Sequence, residues 1–296
     1  MTLPQENPRI PEGINAHNES PLREFLVLAA GVSAALVALV FALSLAVRFM
    51  APYLPFAWEL AAAPALESLT EETGESQAAA SAALQDLGKA LLKSSLTVPI
   101  DGEDPSSTVP PEHFRFSLLG LDSPNAFATL GAQVAVSDAL LAHVQSENGL
   151  AMVLAHEIAH VQLRHPIEAA GRGVVVQIAL AAILGNNASG LLGGSLGTGS
   201  MLTLLSFNRE MELQADRRAL AILRSHYGHL GGADEFFREM ASDPGSPEWL
   251  EFAQTHPSTQ RRLQLIRGAM RADPVTMPSR PMSKALRGLP RAGASE

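Results

Sequence analysis

Three histidines and one glutamate lie close together in the stretch LAHEIAHVQLRH, residues 154–165. His156 and His160 are four residues apart, so in a helix they share one face, about 40° apart around the axis. Two imidazoles one turn apart can bind one tetrahedral zinc ion. Glu157 is rotated about 100° from the first histidine, so it can serve as a general base without binding the metal. The His-Glu-x-x-His pattern therefore predicts a zinc site that activates water.

The motif alone does not separate a metal site from a helix that carries histidines by chance. Its apolar neighbours favour the metal site, because they form one stripe that would bury the helix. This stripe consists of Leu150, Val153, Leu154, Ile158 and Val161. A buried charged group needs a partner, and a metal ion supplies one.

A third protein ligand must come from elsewhere in the chain. His165 is five residues after His160, about 140° around the helix, so we expect it to point away from the metal. We interpret it as a residue at the C-terminal end of the helix, where the helix dipole favours a histidine. The stretch NREMELQAD, residues 208–216, offers Glu210, Glu212 and Asp216. The last two share a helix face, so one could bind the metal while the other accepts the spare imidazole N–H of a ligand histidine. The alternative is a solvated, charged helix face.

Several elements must position these residues. A long helix is predicted from Glu147 to His165, ending at Pro166, and a second one over residues 209–223. Residues 76–94 predict an amphipathic helix, and shorter helices are expected at 233–242, 247–254 and after the turn at THPST. Two short strands, 114–119 and 132–137, complete the pattern. These elements favour an α+β domain that is mainly helical, with a small sheet.

An uncharged apolar run, residues 25–47, precedes this domain. As a helix it would be roughly 34 Å long, enough to cross a bilayer, and it is longer than the apolar part of a usual signal peptide. A buried core helix is the other alternative. Arg9 and Arg23 precede the run and Arg48 follows it, which slightly favours a cytoplasmic N-terminus and a domain on the outer side.

A second apolar region covers residues 173–207, and glycines interrupt it. Its first run has only eleven residues and is too short to span a bilayer. We expect a helical hairpin or flap that packs on the site or touches the membrane surface, with a re-entrant segment as the alternative.

Composition excludes several classes of protein. The net charge of -9 argues against a nucleic-acid partner. The chain has no cysteine, so disulfides, thiolate metal sites and a cysteine nucleophile are excluded.

Four motifs in order resemble peptidase family M48, over roughly residues 114–267. They are SPNAFATLGAQVAVSDALL, LAHEIAHVQLRH, NREMELQAD and THPSTQRRL. The resemblance implies a zincin-like metallopeptidase fold and one Zn²⁺ per chain. With one clear span, the chain resembles the single-span and soluble branches of the family, which disfavours CaaX processing.

The resemblance also implies site residues. It implies His156, His160 and Glu212 as zinc ligands, Glu157 as the catalytic base and Asp216 as a partner behind the ligands. Arg209 and His256 become candidates near the metal, to orient the site or stabilise the oxyanion. Asn125, Ala126 and Phe127 become candidate substrate-binding residues, before an edge strand at 132–136 on which a peptide could add.

The expected organisation is a flexible tail (1–22), a transmembrane helix (23–50), a juxtamembrane and first helical segment (51–110), the peptidase domain (111–272) and a disordered tail (273–296). The expected function is a zinc endopeptidase anchored in the inner, cytoplasmic membrane. It would cleave polypeptides, including misfolded ones, for envelope or membrane quality control. The alternative is a latent or non-proteolytic assembly factor on the same metal-binding fold.

Overall fold

A computed structural model describes residues 20–63, 75–99, 109–184, 207–242, 246–257, 260–275 and 277–287. The chain divides into two compact units, Met1–Leu43 and Ser44–Glu296. Residues 1–19 of the predicted tail lie outside the described residues. The same holds for residues 185–206 of the second apolar region.

The described elements follow one another as helices around a small sheet. The helices are α1 (Pro21–Met50), α2 (Phe56–Ala62), α3 (Glu75–Ser95), α4 (Asp138–His143), α5 (Glu147–Gln162), α6 (His165–Leu184), α7 (Arg209–Tyr227), α8 (Glu235–Ser242), α9 (Leu250–Thr255), α10 (Gln260–Ala272) and α11 (Lys284–Arg287). The strands are β1 (Arg115–Leu119), β2 (Ala126–Thr129) and β3 (Gln133–Ser137). Three short 3₁₀ turns cover Ala51–Tyr53, Pro111–His113 and Pro247–Trp249.

The helix α1 has the length and composition of a membrane span. The apolar segment Pro21–Tyr53 has a mean hydropathy of 2.7 over its best window, and none of that window is buried. A buried core helix would hide such a surface, so its exposure agrees with the predicted span.

The sheet differs from the prediction in one strand. Residues 126–129 form β2, which the sequence places in a loop, and β2 pairs antiparallel with β3. The strand order is β1-β3-β2, with β1 parallel to β3. The predicted edge strand at 132–136 is therefore the central strand, since both of its sides are already paired. Ala126 and Phe127 lie in β2, at an edge of the described sheet.

The long helix predicted to run to His165 ends earlier. Helix α5 stops at Gln162, and Arg164 takes a φ of 60° before α6 starts at His165. Pro166 is the second residue of α6. The first amides of a helix have no hydrogen-bond acceptor within the helix, so the missing N–H of a proline costs nothing at this position. Pro166 thus starts a helix here and does not end one.

Helix α5 forms the centre of the second unit. It packs against α7, α3 and the sheet, and nearly every one of its side chains is buried. Leu150, Leu154 and Ile158 of the predicted stripe are fully buried, as are Leu84 and Leu91 of α3. The helix that carries the histidines therefore lies inside the core, as its apolar stripe predicts.

The segment after α10 is ordered, in contrast to the predicted disordered tail at 273–296. Met282 and Leu286 are 3% exposed and join the main core, and α11 packs on α3. Pro281 forms a bridge with Ser146, the residue that caps α5. Apolar burial thus holds residues 277–287 at the start of the histidine helix; residues 288–296 lie outside the described part of the chain.

Helix α6 leaves the core as it proceeds. Its residue Gly171 lies against Val47, so close that a Cβ on the glycine would come within 2.7 Å of the valine side chain. Further along, Val174, Val176 and Ile178 are 54%, 47% and 60% exposed. The first half of the expected apolar hairpin is therefore a helix with an exposed apolar surface.

Candidate metal centre

Helix α5 presents His156, Glu157 and His160 inside the protein. The Ser146 hydroxyl accepts a hydrogen bond from the Gly149 amide and caps the helix. The Nε2 atoms of the two histidines are 2.9 Å apart, so both imidazoles point toward one position, as their four-residue spacing predicts. All three side chains are at most 3% exposed.

Helix α7 brings Glu212 to the same position. The Asn208 side chain accepts hydrogen bonds from the amides of Glu210 and Met211 and so begins the helix. Glu212 Oε2 is 3.4 Å from His156 Nε2, and its Oε1 is 3.3 Å from His160 Nε2. Of the three acidic candidates in this stretch, Glu210 is exposed and Glu212 faces the histidines.

Asp216 lies one turn further along α7, behind His156. Its Oδ1 is 3.0 Å from His156 Nδ1, the nitrogen that faces away from Glu212. A carboxylate at Nδ1 holds the proton there and leaves Nε2 free to bind a metal. Asp216 thus lies next to His156, on the opposite side of the ring from Glu212.

His256 joins this group from the end of α9. Its Nδ1 is 3.1 Å from Glu212 Oε1, and its Nε2 is 3.6 Å from Glu157 Oε1. One potential ligand atom from each of His156, His160, Glu212 and His256 lies within 4.8 Å of the others. The sequence places His256 only near the metal, whereas the geometry makes it a fourth potential ligand.

Arg262 on α10 is the residue that the sequence analysis misses. Its Nε and Nη2 are 2.7 and 2.8 Å from the two Asp216 oxygens, and its Nη1 contacts Glu212 Oε2. It is 1% exposed and lies over the Phe237 ring. The predicted Arg209 is instead exposed at the first residue of α7, so the arginine that reaches the cluster is Arg262.

The charges of the cluster shift its proton affinities. Burial raises the pKa of Glu212, but His256 and Arg262 outweigh it and lower that pKa well below its usual range. Burial lowers the pKa of His156, but Asp216 and Glu212 outweigh it and raise that pKa to about 9. A cation is therefore favoured between these carboxylates. A metal ion bound there would displace the proton on Nε2 of His156 and leave the proton on Nδ1.

Glu157 has a different environment from Glu212. Both of its carboxylate oxygens are buried without a hydrogen-bond partner among the described residues. Burial raises the pKa of Glu157, and His256 and His156 oppose the rise. A carboxyl group whose pKa moves toward neutrality is suited to accept and return a proton.

These residues fit a zinc ion. Two imidazole nitrogens and a carboxylate oxygen are a common zinc ligand set when one position is left for water. The buried oxygens of Glu157, which have no hydrogen-bond partner among the described residues, lie beside this set, and a buried carboxylate is costly unless a cation or donor compensates it. The donor types and the adjacent buried carboxylate are those of a site in which a metal could activate water.

The predicted substrate-binding residues lie at the start of β2. Asn125 is fully buried, and both polar atoms of its side chain have no hydrogen-bond partner among the described residues. Its backbone is fixed by Ser137, whose hydroxyl accepts from the Asn125 amide at 2.8 Å. Ala126 and Phe127 are buried next to it, and β2 packs against α5.

The chain is similar in sequence to known proteases. The chain is 36% identical over 147 residues to the mitochondrial metalloendopeptidase OMA1 of Schizosaccharomyces pombe, covering 49% of this chain and 43% of that protein. It is 32% identical over 162 residues to the beta-barrel assembly-enhancing protease of Escherichia coli, covering 51% of this chain and 33% of that protein. The chain therefore spans less than half the length of either relative.

A family model gives the broader match. The model described as peptidase family M48 matches residues 103–270, which is more than half of the chain. This range contains the whole cluster from His156 to Arg262. The chain belongs to peptidase family M48.

Proposed function

We propose that the protein is a membrane-anchored zinc endopeptidase that hydrolyses peptide bonds in protein substrates. The observation that carries the proposal is the convergence of His156, His160 and Glu212 around one position. Beside them lies the buried carboxylate of Glu157, which has no hydrogen-bond partner among the described residues. Members of family M48 are metallopeptidases, and the ligand set is one that zinc prefers.

Each residue of the cluster has a proposed task. When bound, zinc polarises the scissile carbonyl and lowers the pKa of the attacking water. Glu157 takes the proton from that water and returns it to the leaving amine. Asp216 holds the proton of His156 on Nδ1, and Arg262 holds the carboxylates of Glu212 and Asp216 in place.

The substrate chain would bind as an added strand. In the described sheet β2 is paired on one side only, with β3, so an extended peptide could add on its other side. At the start of this strand lies Asn125, whose side-chain amide has no hydrogen-bond partner among the described residues. We propose residues 125–127 as the place where a substrate backbone is held next to α5.

The proposed location is the inner membrane of the cell, with the domain on the outer side. The apolar helix α1 provides the anchor, and the one-arginine excess before it favours a cytoplasmic N-terminus. Two relatives are named for a mitochondrial endopeptidase and for beta-barrel assembly, which supports a role in quality control of membrane or envelope proteins, including misfolded ones.

Dependence on a metal is the first test of this function. The full-length chain in detergent should cleave an unfolded protein, lose cleavage when a chelator removes its metal, and recover it with zinc, because the metal activates the water. Cleavage that continues at full rate in metal-free protein would contradict the proposal.

The position of His256 favours latency as a second candidate state. Because its ring lies within ligand distance of the cluster, it could fill the position that a substrate and water need. Replacing His256 by Ala should then raise the basal cleavage rate at unchanged zinc content. A fall in the rate would instead assign His256 a direct role in catalysis.

A further inference from the structure

The junction between α5 and α6 carries two buried polar residues that the proposed mechanism does not use. Arg164 and His165 are each 3% exposed. Arg164 takes a φ of 60°, so the chain changes direction at this residue and α6 starts immediately after it. Two large polar side chains buried at a strained turn require specific partners.

His165 finds its partner in a metal-ligand candidate. Its Nδ1 is 2.9 Å from His160 Nδ1, and its Nε2 is 3.2 Å from Oε1 of Gln214 on α7. In a continuous helix His165 would be rotated about 140° from His160 and would point away from it. The helix is interrupted between the two residues, so His165 can contact His160. It lies against the side of His160 that faces away from Glu212.

The contacts decide which nitrogen of His160 carries its proton. The two rings meet through their Nδ1 atoms, so one of them must donate in this hydrogen bond and the other must accept. A histidine that binds a metal through Nε2 is neutral and carries its proton on Nδ1. Gln214 Oε1 can only accept, so His165 donates from Nε2 and accepts at Nδ1. His160 must then donate from Nδ1, which leaves the lone pair of Nε2 on the side of Glu212, 3.3 Å from Oε1.

Arg164 is held by the segment that follows the apolar helix. Its Nη1 is 3.0 Å from Oε1 of Glu59 on α2, and its Nη2 donates to the Leu54 carbonyl at 2.5 Å. Glu59 is 2% exposed and also accepts from the Gly131 amide. A buried, doubly held guanidinium fixes the turn because breaking the pair would leave an uncompensated charge in the core.

We propose that His165 is a positioning residue for the metal ligand His160, and that helix α2 keeps His165 in place through the Glu59–Arg164 pair. This inference rests on the proposed function, because it assigns His160 to a metal. It extends the site to residues 54–59, which lie outside the part of the chain that the family model matches. The segment next to the membrane anchor thereby becomes a part of the metal centre.

The test is the zinc affinity of the full-length chain in detergent, measured by competition with a chromophoric chelator. His165→Phe removes the acceptor and should weaken zinc binding by about 10- to 100-fold, the usual effect of losing an outer partner of a ligand. His165→Asn keeps an acceptor oxygen close to the ring position of Nδ1 and should restore most of the affinity. The visible spectrum of the cobalt-loaded protein should change in the same order.

The link to α2 has its own variants. Glu59→Gln removes the charge, and Arg164→Gly removes the guanidinium while glycine still allows the positive φ. Each should weaken zinc binding by about tenfold. If Glu59 acts through His165, the double variant Glu59→Gln with His165→Phe should bind zinc no more weakly than His165→Phe alone.

Glu235→Gln is the matched control. Glu235 is a buried carboxylate that accepts from the amides of Gln145 and Ser146 at the other end of α5. Its loss should lower stability but leave the zinc affinity of the folded protein unchanged. Gln214→Leu, at an exposed position, repeats the His165 test without altering the core.

The outcomes separate the inference from the proposed function. Wild-type affinity and cobalt spectrum in His165→Phe and Gln214→Leu overturn the positioning role of His165. Wild-type affinity in both Glu59→Gln and Arg164→Gly overturns the link to α2. A wild-type chain that binds no zinc contradicts the proposed function itself.

Discussion

Glu212 and Asp216 differ in what surrounds them, although they share one face of α7. Glu212 faces both histidine Nε2 atoms, whereas Asp216 is bound by Arg262 through two hydrogen bonds and contacts His156 Nδ1. The four-residue spacing predicts that they act together. Only the packing of α5 against α7 decides that Glu212 points to the shared position and Asp216 lies behind it.

Asp216 should contribute stability that acid removes. Burial raises the pKa of Asp216, but Arg262 and His156 outweigh it and lower the pKa below the usual range of an aspartate. A lowered folded-state pKa means that the contribution is present above about pH 4 and is lost as the pH falls through the folded value. Asp216→Asn should therefore lower the free energy of unfolding of the metal-free chain by about 3–5 kcal/mol at pH 7.

The difference in the free energy of unfolding between Asp216→Asn and wild type should become smaller as the pH is lowered toward 3. Denaturant titrations over this pH range would measure it. Asp234→Asn is the control, because Asp234 pairs with Arg238 and Arg267, whose side chains are largely exposed. Its effect should stay within about 1 kcal/mol. A constant difference between Asp216→Asn and wild type across the pH range would contradict this account of Asp216.

Arg262 could not be selected from the sequence. It follows Arg261 in a helix of mixed composition, and two adjacent arginines predict a solvated face. In the structure Arg261 is exposed and Arg262 is buried, because Asp216 and Glu212 of α7 provide two carboxylates for it. The information lies in partners more than forty residues away, which periodicity does not report.

At the scale of elements, the apolar stripe of α5 and the helices α3 and α7 follow the predicted pattern closely. The errors concern short-range geometry. Residues 126–129 form β2 inside a stretch that is rich in turn residues. The helix is interrupted between Gln162 and His165, in the middle of a helical sequence pattern. Both depend on tertiary contacts, such as the pairing with β3 and the hold of Glu59 on Arg164.

Helix α6 carries the prediction that belongs to this scale. Its exposed Val174, Val176 and Ile178 follow the contact of Gly171 with Val47, near the end of the apolar helix. We expect this exposed apolar part of α6 to contact lipid, one of the alternatives that the sequence leaves open. The chain has no cysteine, so Ile178→Cys can carry a single fluorescent label.

In vesicles that contain brominated lipid, the label at residue 178 should be strongly quenched, because apolar side chains exposed beside a span favour the bilayer. A label at Glu210→Cys, on an exposed polar site of α7, is the control and should be quenched little. Equal quenching at both sites would show that α6 faces water or protein.

At the scale of the whole molecule, composition and motif order predict the class of fold, the long apolar helix and the family. The predicted disorder is wrong for residues 277–287, because sparse apolar residues such as Met282 and Leu286 are enough to bind this segment to an existing core. A high content of Pro and Arg predicts disorder from local composition alone. The packing of this segment depends instead on surfaces of α3 and α4 that form only in the folded domain.

The central claim is that one zinc ion and Glu157 together hydrolyse peptide bonds. The most direct test compares zinc content and cleavage of an unfolded protein in the wild-type chain and in Glu157→Gln. Since Glu157 is proposed as a base and not as a ligand, both proteins should hold one zinc ion per chain, and only the wild type should cleave. Cleavage at the wild-type rate by Glu157→Gln would contradict the account.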